Sequence, residues 1–156
     1  MARKASGKIK VEFTGFEELI KEIEKATGQI DEAVVKATNT AADVVYNELH
    51  TQAAAAGVPA SVTNEIKKTP AKMQNNICTA AVGWDLGEYN PADPSAGYKA
   101  ILMNYGTPKA RRTRAGENRG EMTATHFIRK TKRRSKKGVV EAQEAALNDT
   151  LKGLKK

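Results

Sequence analysis

The sequence predicts an α+β fold: a small antiparallel β-sheet packed by a long central helix and a C-terminal helix, in the order β-α-α-β-β-β-α. Three observations predict it. Apolar residues recur at helical spacing from about Ile30 to Ala55. Short runs of alternating apolar and polar residues lie on either side of that stretch. The chain has 156 residues, of which 40% are hydrophobic, enough for one core and one domain spanning 1–156. Aromatic residues supply only 5%, so that core is expected to be built from Ala, Val, Ile and Leu.

Residues 1–8 are small and polar and read as a flexible N-terminus. Ile9, Val11 and Phe13 alternate with polar residues and predict a short strand. Thr14-Gly15-Phe16-Glu17 has the form of a capping box. Phe16, Leu19, Ile20 and Ile23 then fall on one helical face, and Gly28 supplies a C-terminal cap. A longer helix is expected from about Ile30 to Ala55. Its inward face is Ile30, Ala33, Val34, Ala37, Ala41, Val44 and Val45, and Gly57 and Pro59 stop it.

Beyond Pro59 the period changes. Val62 to Thr69 and Asn76 to Trp84 read as two strands of a hairpin joined through Pro70 to Gln74. Cys78, Ala80, Val82 and Trp84 share one face of the second strand. Asp85 to Gly97 is rich in turn residues and reads as a loop. Tyr98 to Tyr105 reads as a further strand, closed by Gly106-Thr107-Pro108. Residues 108–122 form a long basic loop, and such loops are functional or disordered in compact domains. Residues 123–156 form a C-terminal helical segment. Its helix starts near Phe127 and is kinked at Gly138, or has its true start at Gly138; in either case it covers Val139 to Leu151, with Val140, Leu147, Leu151 and Leu154 on one face.

The formal charge is +8, and it is not spread evenly. Residues 1–57 carry 7 basic and 9 acidic groups, residues 58–107 carry 4 of each, and residues 108–156 carry 15 and 5. Twelve cations lie between Pro108 and Lys137, against only Glu117 and Glu121. Such a density binds phosphates well at low salt. Yet Phe127 is the one aromatic residue there, no recognition-helix pattern precedes it, and no zinc-finger spacing exists. Nucleic-acid contact and a solvated face meeting an acidic partner both remain open.

Enzyme motifs are absent. There is no Walker loop, no dinucleotide glycine fingerprint and no H-E-x-x-H. His50 and His126 lie on different elements with no Cys to complete a metal set. Cys78 lacks a base placed beside it and reads as a small core residue. Asp85 and Glu88 sit among turn residues and read as solvated. The one cysteine excludes an intrachain disulfide framework, and no apolar run approaches the ~20 residues of a membrane span. No secretory signal opens the sequence. These features predict a soluble protein made in the cytoplasm, not an enzyme, with no cofactor, no metal and no membrane partner.

Three short motifs, in order, carry a family resemblance. The first is Val11-Glu12-Phe13-Thr14-Gly15-Phe16-Glu17-Glu18-Leu19. It is similar to a strand followed by a "G-[LF]-x-x-L" helix start, and a long Ala/Val helix follows in both. The second is Tyr98-Lys99-Ala100-Ile101-Leu102-Met103-Asn104-Tyr105-Gly106-Thr107, similar to "Y-A-x-x-[VL]-E-[FY]-G-T". The third is Ala124-Thr125-His126-Phe127-Ile128-Arg129, similar to "A-H-P-F-[LI]-R-P-A". Together they resemble the tail-component or tail-completion (neck) family of long-tailed bacteriophages. Asn104 departs from the usual Glu, and the prolines around Phe127 are missing.

The resemblance implies a structural virion protein of the phage neck or tail, made in the host cytoplasm and assembling without catalysis. It implies a homo-oligomeric ring, expected as a hexamer, that completes the tail and joins it to the head connector. Its neighbours would be head-connector, tail-terminator or tail-tube proteins. Double-stranded DNA would lie in the lumen. On this reading Lys109, Arg111, Arg112, Arg114 and Arg119 line the lumen or reach an adjacent ring, while Arg133, Arg134, Lys136 and Lys137 bridge to acidic neighbours. Gly15, Phe16, Leu19, Tyr98, Tyr105, Gly106, Thr107, Phe127, Ile128 and Arg129 carry the family motifs. The alternative is a basic double-stranded-DNA-binding protein acting outside a virion.

Overall fold

Alanine and valine at helical spacing form the central helix that their periodicity predicts. The computed structural model of the chain describes residues 8–12, 30–87, 90, 92–107, 115–117 and 120–154. In order, the described elements are β1 (Lys8–Glu12), α1 (Ile30–Ala55), α2 (Ala60–Thr63), β2 (Lys67–Gln74), β3 (Ile77–Gly83), α3 (Ala96–Tyr105) and α4 (Phe127–Leu154). The architecture is α+β. A three-stranded antiparallel sheet has the order β1-β3-β2, and α1 packs on the sheet and on α4.

Ala33, Val34, Ala37, Ala41, Ala42, Val45, Leu49 and Ala53 are buried along α1. The helix ends in a Schellman motif. The Val58 N–H donates to the Ala53 carbonyl and the Gly57 N–H to the Ala54 carbonyl, both at 3.0 Å. Gly57 takes φ +73°, a backbone region that costs a glycine little. Buried Val58 supplies the apolar contact that accompanies such a cap.

The hairpin is built differently from its sequence prediction. Val62 and Thr63 belong to the helical turn α2, where the Val62 and Thr63 N–H groups both donate to the Pro59 carbonyl. The strand starts at Lys67 and runs straight through Pro70 to Gln74, and the register shifts between Thr69 and Lys72. Proline is tolerated at such an irregularity on an edge strand, which is why it does not make the turn. The turn is Asn75-Asn76, with φ +50° and +61°, the left-handed pair that a two-residue hairpin needs. The irregular stretch is tied to α1, because the Ala71 N–H donates to Asn39 Oδ1 at 2.9 Å. Cys78, Ala80 and Val82 are buried on one face of β3, as the alternation predicts. Ile9 and Val11 of β1 pair in register with Val82 and Ala80.

The segment Tyr98 to Tyr105 is a helix, not a strand. Ser95 caps its start, its Oγ accepting from the Tyr98 N–H. Gly106, at φ +74°, stops it, donating to the Leu102 carbonyl at 2.7 Å. Gly97, Ala100 and Asn104 are the buried positions, spaced as one helical face. A short apolar run satisfies both periods, and here the two end caps decide between them. The predicted order β-α-α-β-β-β-α is therefore corrected at its sixth element. The predicted helix over 14–28 lies outside the described residues, as do residues 1–7 and most of the basic loop. Lys8 opens β1 and so belongs to the sheet rather than to the N-terminal segment.

The last helix begins at Phe127 and passes through Gly138 without a break. Its inward residues are Phe127, Thr131, Ser135, Gln143 and Ala146. Val140, predicted inward, is 47% exposed. The interface selects small side chains instead: a Cβ at Gly138 would lie 3.1 Å from Val44 Cγ1. Thr131 needs no external partner, because its Oγ1 donates to the Phe127 carbonyl at 2.9 Å. At one end of the core the Phe127 ring meets Trp84 edge-on, with centroids 6.0 Å apart and planes at 83°. The Trp84 indole N–H donates to the Val62 carbonyl at 2.6 Å, which ties α2 to the end of β3.

Candidate functional site

Two features of the described chain stand apart from the core: a hydrogen-bonded junction between α3 and α4, and the outward face of α4.

A helix leaves its last carbonyls and its first N–H groups without intrahelical partners. At the junction the two residues before α4 donate to carbonyls in the last turn of α3, and a side chain of α3 caps an N–H of α4. The Thr125 N–H and hydroxyl both donate to the Met103 carbonyl, at 3.2 and 2.8 Å. The His126 N–H donates to the Asn104 carbonyl at 3.0 Å. Asn104, 2% exposed, also accepts the Ile128 N–H on its side-chain oxygen at 3.0 Å. It is thus an N-cap supplied from another helix.

The chain beyond is clamped. The Thr107 N–H donates to the Met122 carbonyl, and the Met122 N–H donates to Thr107 Oγ1, each at 2.9 Å. Gly106 cannot carry a side chain here, since a Cβ would come within 2.5 Å of the Met122 carbonyl oxygen. The second and third sequence motifs, separated by the residues after Thr107, are therefore one structural unit. Tyr105 and Met122, on the two sides of the clamp, are 62% and 40% exposed. Fourteen residues, 108–121, leave and return through it, and they include Lys109, Arg111, Arg112, Arg114 and Arg119.

Those five cations lie outside the described residues, as do Gly15, Phe16 and Leu19. Of the other motif residues, Phe127 is buried, Tyr98, Gly106, Thr107 and Ile128 are half-buried, and Tyr105 and Arg129 are exposed. Arg133, Arg134, Lys136 and Lys137 are exposed on α4. The structure adds Lys130 and Lys132 to the same face. Residues 127–138 hold seven basic side chains and no acidic one. Lys137 pairs with Glu141 at 3.5 Å, and among the described residues the other six have no ion-pair partner. Sequence reading missed Asn104, Thr125 and Met122 as junction residues. Asn104 carried no local signal, because it lies inside α3 and caps a helix that starts 23 residues later.

Among the described residues the remaining polar candidates form no constellation. Cys78 is buried in the core. His50 stacks at a tilt on Tyr46, with ring centroids 4.6 Å apart, and His126 is exposed at φ +52°. Asp85 is paired with Lys67 at 3.4 Å, and Glu88 lies outside the described residues. Among the described residues no three His, Cys, Asp or Glu side chains come together as a metal site requires. No described helix is long and apolar enough to cross a membrane. Comparison of the chain with family models, curated proteins and solved structures finds no match.

Proposed function

We propose that the chain is a structural protein of a phage neck or tail that assembles into a ring, completes the tail and joins it to the head connector. The supporting observation is the clamped junction. The Thr107–Met122 pair, set on hydrogen bonds between the end of α3 and the start of α4, holds both ends of a cation-rich stretch and leaves Tyr105 and Met122 exposed beside it. Exposed apolar side chains at such a base suit a surface that another subunit covers. A ring needs two different patches per subunit, and the junction supplies one. The ring is expected to be a hexamer, with the arginines of 109–119 toward the lumen or the next ring.

The test is the size and symmetry of the purified chain, alone and mixed with phage head-connector and tail-tube proteins. Closed rings in electron micrographs, with a matching sedimentation mass, are expected. A chain that stays monomeric in every mixture refutes the proposal. The triple substitution Arg111→Ala, Arg112→Ala, Arg114→Ala is expected to abolish head–tail joining in an infectivity assay without altering the fold. Undiminished infectivity would remove these arginines from the mechanism.

A further inference from the structure

We infer that the first three turns of α4 form a binding surface for the phosphate backbone of double-stranded nucleic acid, independent of base sequence. Seven of the nine residues 129–137 are Arg or Lys, and all seven are exposed. The other two, Thr131 and Ser135, are buried against the body of the protein. Everything that faces outward on this stretch is therefore cationic.

This charge does nothing for the fold. The first turn of the helix contains no acidic residue, and it places Arg129 and Lys130 at the positive end of the helix dipole. Arg129 and Arg133, Lys130 and Arg134, Lys132 and Lys136, and Arg133 and Lys137 stand four residues apart, the spacing at which like charges repel across a helix turn. Among the described residues one counter-charge, Glu141 against Lys137, is present. The helix is held by its inner face and carries the cations at a cost. An external anion removes that cost.

The shape of the surface selects the anion. At 1.5 Å and about 100° per residue, the seven cations cover about 12 Å of helix and about 200° of its circumference. A flat acidic protein surface meets one side of such a cylinder. The major groove of a duplex, about 12 Å wide, accepts a helix and flanks it with phosphates on both sides. The composition removes two other ligands. No aromatic side chain is exposed on residues 127–138, so bases have nothing to stack on, as single strands require. No Asn, Gln, Asp or Glu lies among residues 129–137, so adenine and cytosine edges have no dedicated reader. Arginine and lysine can reach a guanine edge, but with no reader for adenine or cytosine the contact is chiefly with the backbone, which positions without specifying.

The surface stands whether or not the chain forms a ring, and it is tested on the purified full-length chain with labelled 24-base-pair duplexes of two unrelated sequences. Equal affinity for both is expected, with Kd about 10⁻⁴–10⁻⁶ M at physiological salt. For five to seven phosphate contacts, the slope of log K against log salt is expected at about −4.5 to −6.3. The double substitution Arg133→Glu, Arg134→Glu is expected to weaken binding at least tenfold and to reduce the slope by about 2, without lowering the thermal midpoint. Arg133→Lys, Arg134→Lys is expected to retain binding.

Several results overturn the inference: no duplex binding at 50 mM salt, unchanged binding by the Glu variant, or tighter binding of a single strand of equal length. Tighter binding of a poly-glutamate peptide at equal salt would assign the surface to an acidic protein instead. A chain that forms rings but does not bind duplex sinks this inference alone. A chain that binds duplex but stays monomeric with its neighbours sinks the ring alone.

Discussion

On the side of α4 that meets α1, Phe127, Thr131 and Ser135 are buried and Gly138 lets the helices approach closely. On the opposite side, over the same three turns, every residue is a cation. The inner side follows the rules of stability: an aromatic anchor, small residues at the crossing, and a hydroxyl satisfied by its own helix. The outer side breaks those rules, with like charges one turn apart and cations at the wrong end of the dipole. The difference separates what the helix needs in order to fold from what it carries for another purpose.

The largest expected effect breaks the inner side. Phe127→Ala removes a fully buried ring and its edge contact with Trp84, and should destabilise the protein by about 3–5 kcal/mol. Urea unfolding followed by the fluorescence of Trp84 measures it. A loss under 1 kcal/mol would mean that the anchor is not where stability resides.

A smaller effect is expected where the two sides meet, at the start of the helix. Asn104→Ala strips the Ile128 N–H of its acceptor and should cost about 1–2 kcal/mol. Asn104→Asp keeps an oxygen there and should recover most of it. Equal losses for both variants would show that the contact is steric rather than a cap.

The smallest effect has the opposite sign. Arg133→Glu with Arg134→Glu turns repulsions with Arg129, Lys130, Lys136 and Lys137 into attractions, and should raise stability by about 0.5–1 kcal/mol. A clear loss of stability in the same unfolding experiment would mean that the outer side is structural after all.

How much of this was legible in the sequence depended on which force set each element. The bounds of α1 were readable because alanine periodicity, Gly57 and Pro59 agree. The inward face of β3 was readable because alternation at Cys78, Ala80 and Val82 reports burial directly. Helix α3 was misread because ten residues of mixed apolar character fit either period, and the deciding caps, Ser95 and Gly106, act only in three dimensions. The hairpin turn was misplaced because Pro70 signals a turn more loudly than Asn75-Asn76, though only the asparagines can adopt the paired left-handed backbone. Val140 was assigned inward because hydrophobicity was the only guide. The real contact uses Thr131, Ser135 and Gly138, residues chosen for size. The cations of the candidate site were plain from counting. The junction was not, since its decisive bonds join Met103, Asn104 and Thr107 to residues fifteen or more positions later.

The two Thr107–Met122 hydrogen bonds have a consequence for how this protein can change over time. They close the stretch between them at its root, so the ends stay together whatever lies in between. The entropic cost of a closed loop grows slowly, by about 0.6 kcal/mol for each doubling of its length. Insertions, deletions and exchanges of sequence within 108–121 should thus leave the body nearly untouched. The clamp makes that stretch a replaceable part, free to diversify with its partner while the fold that carries it stays the same.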